Sequence, residues 1–150
     1  MDIDWSKYDD SVDKLSFDGE IKEAKVVHVY DGDTIRIVFP IHDTFYRWTC
    51  RLEGVDTPEI RTRCDVQKKY GYKVRDALRE KILHKVVKIK CGTFDKYGRL
   101  LVTIYDDETK QDDISNRKTV NNWLIENEYA FTYDGGKKRD WSQYLKEMTT

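Results

Sequence analysis

The sequence predicts an α+β fold, a five-stranded Greek-key β-barrel of the OB type with about three helices packed on it. Runs rich in β-branched and aromatic residues occur three times before residue 52 and twice between residues 86 and 105. A segment with one helical apolar stripe lies between these two groups, and two more helical patterns follow the last run. The chain has 150 residues, which suits one compact domain.

The first three strands are predicted in the runs KVVHVY, TIRIVF and TFYRWTCRL. Asp31-Gly32 separates the first two runs and is a two-residue hairpin signal, because a primed turn needs both residues at positive φ. This turn does not explain Asp33, since a carboxylate at the start of a strand opposes β propensity. In the third run, side-chain alternation puts Arg51 on the face opposite to the two neighbours that we expect in the core, Cys50 and Leu52.

A helix is predicted from Asp65, its expected N-cap, to Ile82, because apolar residues recur there at spacings of three and four. VVKIKC and LLVTIY are the fourth and fifth strands, and residues 96–98 form the turn between them. An acid-rich stretch, DDETKQDDISN, follows; we expect a solvated loop, although its acids also suit a metal. The two last helices come after it, the second behind Asp140 as N-cap.

Charge divides the chain into an acidic N-terminal extension, residues 1–19, and a domain over residues 20–150. Residues 1–23 carry eight acids and three lysines, a net charge of −5, whereas residues 24–150 carry a net charge of +4. A mildly basic body is consistent with a polyanionic ligand, and equally with an ordinary mixed surface.

Neither an export signal nor a membrane span is visible in the sequence. The three cysteines, Cys50, Cys64 and Cys91, have no CxxC spacing, which favours reduced thiols over a disulfide framework or a zinc site. We therefore expect an intracellular protein without disulfides.

The stretch RLEGVDTPEI carries two carboxylates on one short loop. Pro58 forces Thr57 into an extended conformation, so the chain bends stiffly between Asp56 and Glu59. The alternative is a helix start, with Asp56 as N-cap and Glu59 as its capping-box partner. IRTRCD, which follows, has no helical apolar stripe, and this makes the alternative a poor fit.

Three carboxylates and two arginines are thus expected at strand ends of one small barrel: Asp33, Arg51, Asp56, Glu59 and Arg99. Carboxylate and carbonyl oxygens suit calcium or magnesium, and a separate carboxylate can take a proton from water. Guanidinium groups match phosphate oxygens with two parallel hydrogen bonds. These are the groups needed to hydrolyse a phosphodiester.

The motifs DGDT, RL..VDTPE and DKYGR, in this order and at these separations, resemble the staphylococcal nuclease (thermonuclease-like) family over residues 25–130. The resemblance implies a calcium ion held by the carboxylates of Asp33 and Asp56 and by the carbonyl of Thr57. This role as a metal ligand would account for the carboxylate at position 33, which the hairpin turn did not explain.

The same resemblance implies the catalytic groups. Glu59 corresponds to the acid that orients or deprotonates the attacking water, and Arg51 and Arg99 correspond to the two arginines that hold the phosphate in its five-coordinate transition state. Lys96 and Tyr97, in the DKYGR motif, are expected to bind substrate.

The tyrosine pair that stacks on nucleotide in the staphylococcal enzyme has no clean equivalent here. The stretch AFTYDGGKKRD stands in its place. Tyr133 is expected to stack on a base, and Lys137 and Lys138 to bind the substrate's phosphates, since basic residues before a helix are disfavoured by its dipole unless an anion is near. A Gly-Gly turn with solvated lysines is the alternative. Arg61, Lys68 and their basic neighbours suit either a substrate path or a solvated face.

The expected function is a monomeric, calcium-dependent nuclease with little base selectivity. The resemblance implies that it cuts single-stranded or frayed DNA and RNA and leaves 3′-phosphate ends. One calcium ion is expected per site, with no small-molecule cofactor and no membrane partner. The alternatives are an OB-fold module that binds nucleic acid without turnover and, more remotely, a calcium-binding regulatory domain.

Overall fold

The computed structural model describes residues 2–106 and 118–148, and within them it contains seven strands and three α-helices. The strands are β1 (Ile21–Val29), β2 (Thr34–Ile41), β3 (Thr44–Leu52), β4 (Val55–Asp56), β5 (Val86–Phe94), β6 (Leu100–Ile104) and β7 (Phe131–Thr132). The helices are α1 (Asp65–Ile82), α2 (Val120–Glu126) and α3 (Trp141–Met148), and a short 3₁₀ turn spans Trp5–Lys7.

Five strands close into a barrel in the order β1-β2-β3-β6-β5, and β4 pairs with β7 in a separate two-stranded sheet. This confirms the predicted five-stranded α+β barrel and its three helices. All barrel pairs are antiparallel except β3–β6, which run parallel. The pairing of β4 with β7 was not predicted, because two residues are too few to show a periodic pattern.

Alternating apolar residues of the barrel strands fill its interior. Ile35, Ile37 and Phe39 of β2 are fully buried, as the period of two requires, and so are Cys50 and Leu52 of β3. Val74 and Leu78 bring the apolar stripe of α1 into the same core.

The predicted primed turn at Asp31-Gly32 is wrong, since neither residue has a positive φ. The Asp31 side chain instead accepts hydrogen bonds from the amides of Asp33 and Thr34, at 3.1 and 2.8 Å, and this shapes a longer loop. The pair at positive φ is His42-Asp43, between β2 and β3, with φ values of 49° and 67°.

Gly32 is required for packing rather than for its φ. A Cβ atom there would lie 2.7 Å from Val74 Cγ1 and 2.8 Å from Thr57 Cβ, closer than carbon atoms approach. The β1–β2 loop thus rests directly on α1 and on the segment that follows β4.

The predicted helix limits are confirmed with small changes at the caps. Cys64 occupies the N-cap position of α1 and Asp65 is its first residue, so the predicted cap is wrong by one position. Residues 57–64 are not helical, so the alternative in which Asp56 caps a helix is wrong. Asp140 does cap α3, where it accepts a hydrogen bond from the Gln143 amide at 3.1 Å.

The N-terminal residues 2–16 are exposed, but Phe17 is buried against the barrel. Its ring makes edge contacts with Phe39 and Trp48, with centroids 5.9 and 5.4 Å away. The predicted division at residues 1–19 and 20–150 stays a prediction.

Apart from Asp106, the predicted acid-rich loop lies outside the described residues. Over the described ranges, none of the helices has the length and apolar character needed to cross a membrane.

Candidate active site

Strand pairing brings Asp33 and Arg51 together. β2 pairs with β3 so that Thr34 lies opposite Arg51, and the Leu52 amide donates a hydrogen bond to the Asp33 carbonyl at 2.8 Å. β3 also pairs with β6, where Arg51 lies opposite Leu101. The backbone on both sides of the pair is therefore fixed by the barrel.

Arg51 is a buried arginine, only 6% exposed, and its Nη2 lies 3.6 Å from Oδ2 of the buried Asp33. Nη1 donates a hydrogen bond to the Leu52 carbonyl at 3.1 Å, whereas Nη2 has no hydrogen-bond partner among the described residues. The guanidinium carbon lies 5.1 Å from the centre of the Tyr133 ring, a cation–π contact. The guanidinium is thus oriented by three neighbours and keeps unused donor capacity at Nη2.

Arg99 is connected to the same pair through Thr34. Its Nη1 donates to Thr34 Oγ1 at 3.4 Å, and that hydroxyl donates to Asp33 Oδ1 at 3.1 Å. Asp95 holds the other side of Arg99, since the Arg99 Nε lies 2.7 Å from Asp95 Oδ2. A chain of polar contacts therefore runs from the turn before β6 to the start of β2.

Asp95 also shapes its own turn, accepting hydrogen bonds from the amides of Tyr97 and Arg99, each at 2.9 Å. Burial raises the pKa of the Asp95 carboxyl, but the hydrogen bonds from these amides and from the Arg99 side chain outweigh it and lower the pKa below its ordinary value. Asp95 is therefore a stable anion that orients Arg99.

Asp56 lies in β4 and is only 3% exposed. Its Oδ2 is buried and has no hydrogen-bond partner among the described residues. Burial raises the pKa of the Asp56 carboxyl; the positive charge of Lys138 opposes this, while the negative charge of Asp33 adds to it. Asp33 and Asp56 are thus close enough for the charge of Asp33 to act on Asp56, whereas Arg51, like Lys138, lowers the pKa of Asp56.

Asp31 adds to this concentration of negative charge. Burial and the neighbouring charge of Asp33 raise the pKa of Asp31 to about 7. A cation bound among these carboxylates would lower the pKa values of Asp31 and Asp56, because it would favour the charged forms of their carboxyl groups.

The donor set fits a hard divalent cation. Within the described part of the chain, no group of three or more His, Cys, Asp and Glu side chains is arranged to hold a metal ion. The ligands expected from the sequence are fewer: the carboxylates of Asp33 and Asp56 and the carbonyl of Thr57, completed by water. The buried, unpaired Oδ2 of Asp56 is the kind of atom that such an ion would satisfy.

Thr57 and Glu59 lie on a segment packed closely against its surroundings. Thr57 is 3% exposed and contacts Gly32, as described above. On the other side, a Cβ atom at Gly71 of α1 would lie 3.1 Å from the carbonyl oxygens of Pro58 and Glu59. Two glycines therefore let this segment lie between the β1–β2 loop and α1.

Glu59 lies at the edge of the cluster, with 54% of its side chain exposed. Its Oε1 is 3.8 Å from Nζ of Lys138, and the same Nζ lies 6.0 Å from the Tyr133 ring centre. β7 makes this contact possible, because it pairs with β4 and the segment from Tyr133 to Lys138 follows it directly.

Two adjacent cavities collect most of the predicted residues. The larger has a volume of about 620 Å³, and its lining includes Arg51, Lys96, Tyr97, Arg99, Tyr133 and Lys138. The smaller, about 360 Å³, shares Tyr133 with it and is lined also by Asp56, Lys137 and Arg139. Tyr97 is 72% exposed at the mouth of the larger one.

Sequence reasoning missed three residues of this cluster. Thr34 and Asp95 stand inside the motifs DGDT and DKYGR, and their positions there were the available signal. Arg139 directly follows Lys137 and Lys138, and its place in this basic run was the only signal.

Two comparisons relate this chain to known proteins. A family model described as staphylococcal nuclease homologue matches residues 49–149. An uncharacterized protein of Methanocaldococcus jannaschii, MJ1439, is 31% identical over 130 residues, covering 73% of this chain. The chain spans 58% of the length of that relative.

Members of the matched family are generally nucleases, and the match associates this domain with nuclease-like or nucleic-acid-binding function. With the ordered motifs, the closed barrel and this match together, the chain belongs to the staphylococcal nuclease homologue family.

Proposed function

We propose that this chain is a calcium-dependent nuclease that hydrolyses phosphodiester bonds in single-stranded or frayed DNA and RNA. One observation carries the proposal: Arg51 and Asp33 form a buried pair beside Asp56, with an unused guanidinium nitrogen and an unused carboxylate oxygen. Burying charged groups without partners is costly, so the presence of these two unpaired atoms favours a ligand that contacts both of them. A divalent cation and a phosphate together have the required charges.

In this proposal Asp33, Asp56 and the Thr57 carbonyl hold one calcium ion. When bound, the ion would polarise a phosphoryl oxygen and offset its charge. Thr34 supports the arrangement, because its hydroxyl donates to Asp33 and leaves the other oxygen of that carboxylate available.

The chain's own residues carry the remaining steps. Glu59, half exposed and in contact with Lys138 of the larger cavity, takes a proton from the attacking water, and this contact restrains the carboxylate. A positioned base contributes roughly 10²–10⁴-fold to rate. Arg51 and Arg99 donate to the phosphate oxygens as negative charge builds on them, and each such donor contributes roughly 3 to 4 kcal/mol.

Substrate binding is assigned to residues around the two cavities. The exposed ring of Tyr97 and the ring of Tyr133 offer stacking faces for bases. Lys96 and Lys137 contact neighbouring phosphates without reading sequence. A monomer suffices, because these groups all come from one chain. We also propose an intracellular location, since Cys50, Cys64 and Cys91 are free thiols.

The test is digestion of end-labelled single-stranded DNA and RNA with calcium, with magnesium and with chelator, followed by identification of the end groups. We expect cleavage with calcium, none with chelator, and 3′-phosphate products. The matched variant is Asp56→Asn, which keeps the side-chain shape, removes one proposed ligand charge and should therefore cleave more slowly with calcium. Strand binding without cleavage under every metal condition would instead support the non-catalytic binding module.

A further inference from the structure

A second basic groove adjoins the residues that directly follow Thr57 and Glu59. It is a cavity of about 550 Å³ between the β1–β2 loop, residues 60–62 and α1. We name it the helix groove and define it by Tyr30, Arg61, Lys68, Tyr72, Arg75 and Arg79. None of these residues belongs to the candidate active site.

The helix groove carries four cations, and no Asp or Glu is among the described residues that line it. Arg61 and Lys68 are exposed and have no ion pair among the described residues. Arg79 has a structural part, because its Nε and Nη2 both donate to the Val29 carbonyl, at 3.2 and 3.1 Å. Arg75 is paired with Asp76 at 3.0 Å. The free positive charge is therefore concentrated on Arg61 and Lys68.

A titratable neighbour responds to one of the groove cations, Arg79. His28 also lines the groove, and its pKa is lowered by burial and by the charges of Arg36 and Arg79. A neutral imidazole at this position avoids adding to the cationic repulsion, whereas an anion in the groove would relieve it.

Two tyrosines make the groove more than a patch of charge. Tyr30 and Tyr72 are 42% and 37% exposed, so their rings are open to a ligand. The Arg75 guanidinium lies 4.5 Å from the Tyr72 ring centre and supports that ring from one side. Proteins that bind single-stranded nucleic acid commonly place exposed aromatic rings between cations, because every base has a face that can stack and every nucleotide has a phosphate.

The groove lies close to the candidate active site along the chain. Tyr30 is three residues before Asp33, and Ile60, which lines the groove, is four residues after Asp56. Even fully extended, four residues span at most about 14 Å. A strand held at the active site would therefore reach the groove within a few nucleotides.

We propose that the helix groove is a second binding surface for single-stranded nucleic acid, with Arg61 and Lys68 contacting phosphates and Tyr30 and Tyr72 stacking on bases. It would hold the part of a strand that extends beyond the active-site cavities. Its continuity with that site rests on the proposed function, but strand binding in the groove does not.

The test measures strand binding by fluorescence anisotropy in chelator, so that hydrolysis plays no part. Labelled single strands of about 20 and about 4 nucleotides are compared, since one OB fold covers from about 4 to 16 nucleotides. The variant is Arg61→Ala with Lys68→Ala. The matched control is Lys88→Ala with Lys90→Ala, which removes the same charge from two exposed lysines on β5.

We expect the groove variant to bind the long strand on the order of tenfold or more weakly at about 0.1 M salt, with a salt slope reduced by about 1.4, or 0.7 for each lost phosphate contact. The short strand should lose less affinity, and the control should match the unmodified protein for both strands. Tyr72→Ala, which removes no charge, should weaken the long strand by about fivefold or more.

Three results would overturn the proposal. The first is equal affinity of the groove variant and the control for the long strand. The second is an equal loss for short and long strands, because this would assign the effect to the active-site cavities. The third is displacement of the long strand by polyglutamate or by anionic lipid vesicles as effectively as by unlabelled strand. This result would show that the groove binds acidic ligands in general. Failure of hydrolysis alone would leave these binding measurements unchanged.

Discussion

The Nη2 atom of Arg51 lies 3.6 Å from the Oδ2 atom of Asp33, and both side chains are almost completely buried. This distance is longer than the 2.7 to 2.9 Å, approximately, of a charge-assisted hydrogen bond. The two charges therefore attract each other without saturating the donor or the acceptor. A tighter pair would hold Arg51 against Asp33 and keep it from a phosphate.

Arg51→Lys should reduce kcat for cleavage of single-stranded DNA by about 10²-fold or more, with a smaller effect on KM. The planar guanidinium group can donate to the Leu52 carbonyl and to a phosphate at the same time while it contacts the Tyr133 ring. An ammonium group lacks this geometry. Steady-state kinetics with a labelled oligonucleotide measure both constants. Arg47→Lys, an exposed arginine on the same strand, is the control, and a near-normal kcat for Arg51→Lys would remove Arg51 from the proposed catalytic groups.

Glu59→Gln should lower the cleavage rate by roughly 10²- to 10⁴-fold while the variant still binds the strand. The amide keeps the size of the side chain but cannot accept a proton from water, and half of the side chain is exposed, so the fold should be unaffected. Single-turnover cleavage in calcium and strand binding by anisotropy separate the two effects. Glu80→Gln, on the exposed face of α1, should match the unmodified protein. An unchanged cleavage rate would exclude Glu59 as the base.

Gly32→Ala should lower the free energy of unfolding by about 1 to 3 kcal/mol, because the added methyl group has to displace Val74 or Thr57. The same displacement should weaken calcium binding, since Asp33 and Thr57 both adjoin the clash. Urea denaturation and calorimetric calcium titration measure these changes. Gly136→Ala is the control, where the nearest atom is the end of the Asp134 side chain. Full stability of Gly32→Ala would contradict the packing account.

Asp95→Asn should lower the free energy of unfolding at neutral pH by roughly 1 to 3 kcal/mol, because a charged acceptor of three hydrogen bonds becomes neutral. The pKa of Asp95 is lower in the folded state than in the unfolded chain, so its contribution is present above the unfolded pKa and is lost as pH falls through the folded value. The stability difference between Asp95→Asn and the unmodified protein should therefore shrink below about pH 4.

Urea denaturation at a series of pH values tests this prediction. Asp13→Asn, in the exposed N-terminal segment, should leave stability unchanged over the same range. A difference that grows as pH falls would mean that Asp95 is less acidic in the folded protein than its contacts require.

The barrel strands and α1 could be predicted from the sequence because each has one buried face, and burial imposes a period that a single sequence displays. Phe39 and Leu52, for example, are fully buried at the expected alternation. The motif residues also follow from order along the chain, since Asp33, Arg51 and Arg99 stand at strand ends that the topology brings together.

Other features depend on contacts between distant segments and leave no local pattern. At Asp31-Gly32 the Asp31 side-chain hydrogen bonds and the packing on Val74 and Thr57 together override the hairpin preference of the dipeptide. The contact between Glu59 and Lys138 joins segments 79 residues apart through the pairing of two short strands, β4 and β7. The stacking of Arg51 on Tyr133 has the same origin.

The parallel pairing of β3 with β6 closes the barrel at the residue that carries the central guanidinium, with Arg51 opposite Leu101 and the next amide donating to Asp33. Regions that open separately in a native protein are those held by few main-chain bonds, and this one is held on both sides. The Leu52 amide should consequently exchange its hydrogen only through global unfolding. Denaturant should then abolish turnover and melt the barrel in a single transition.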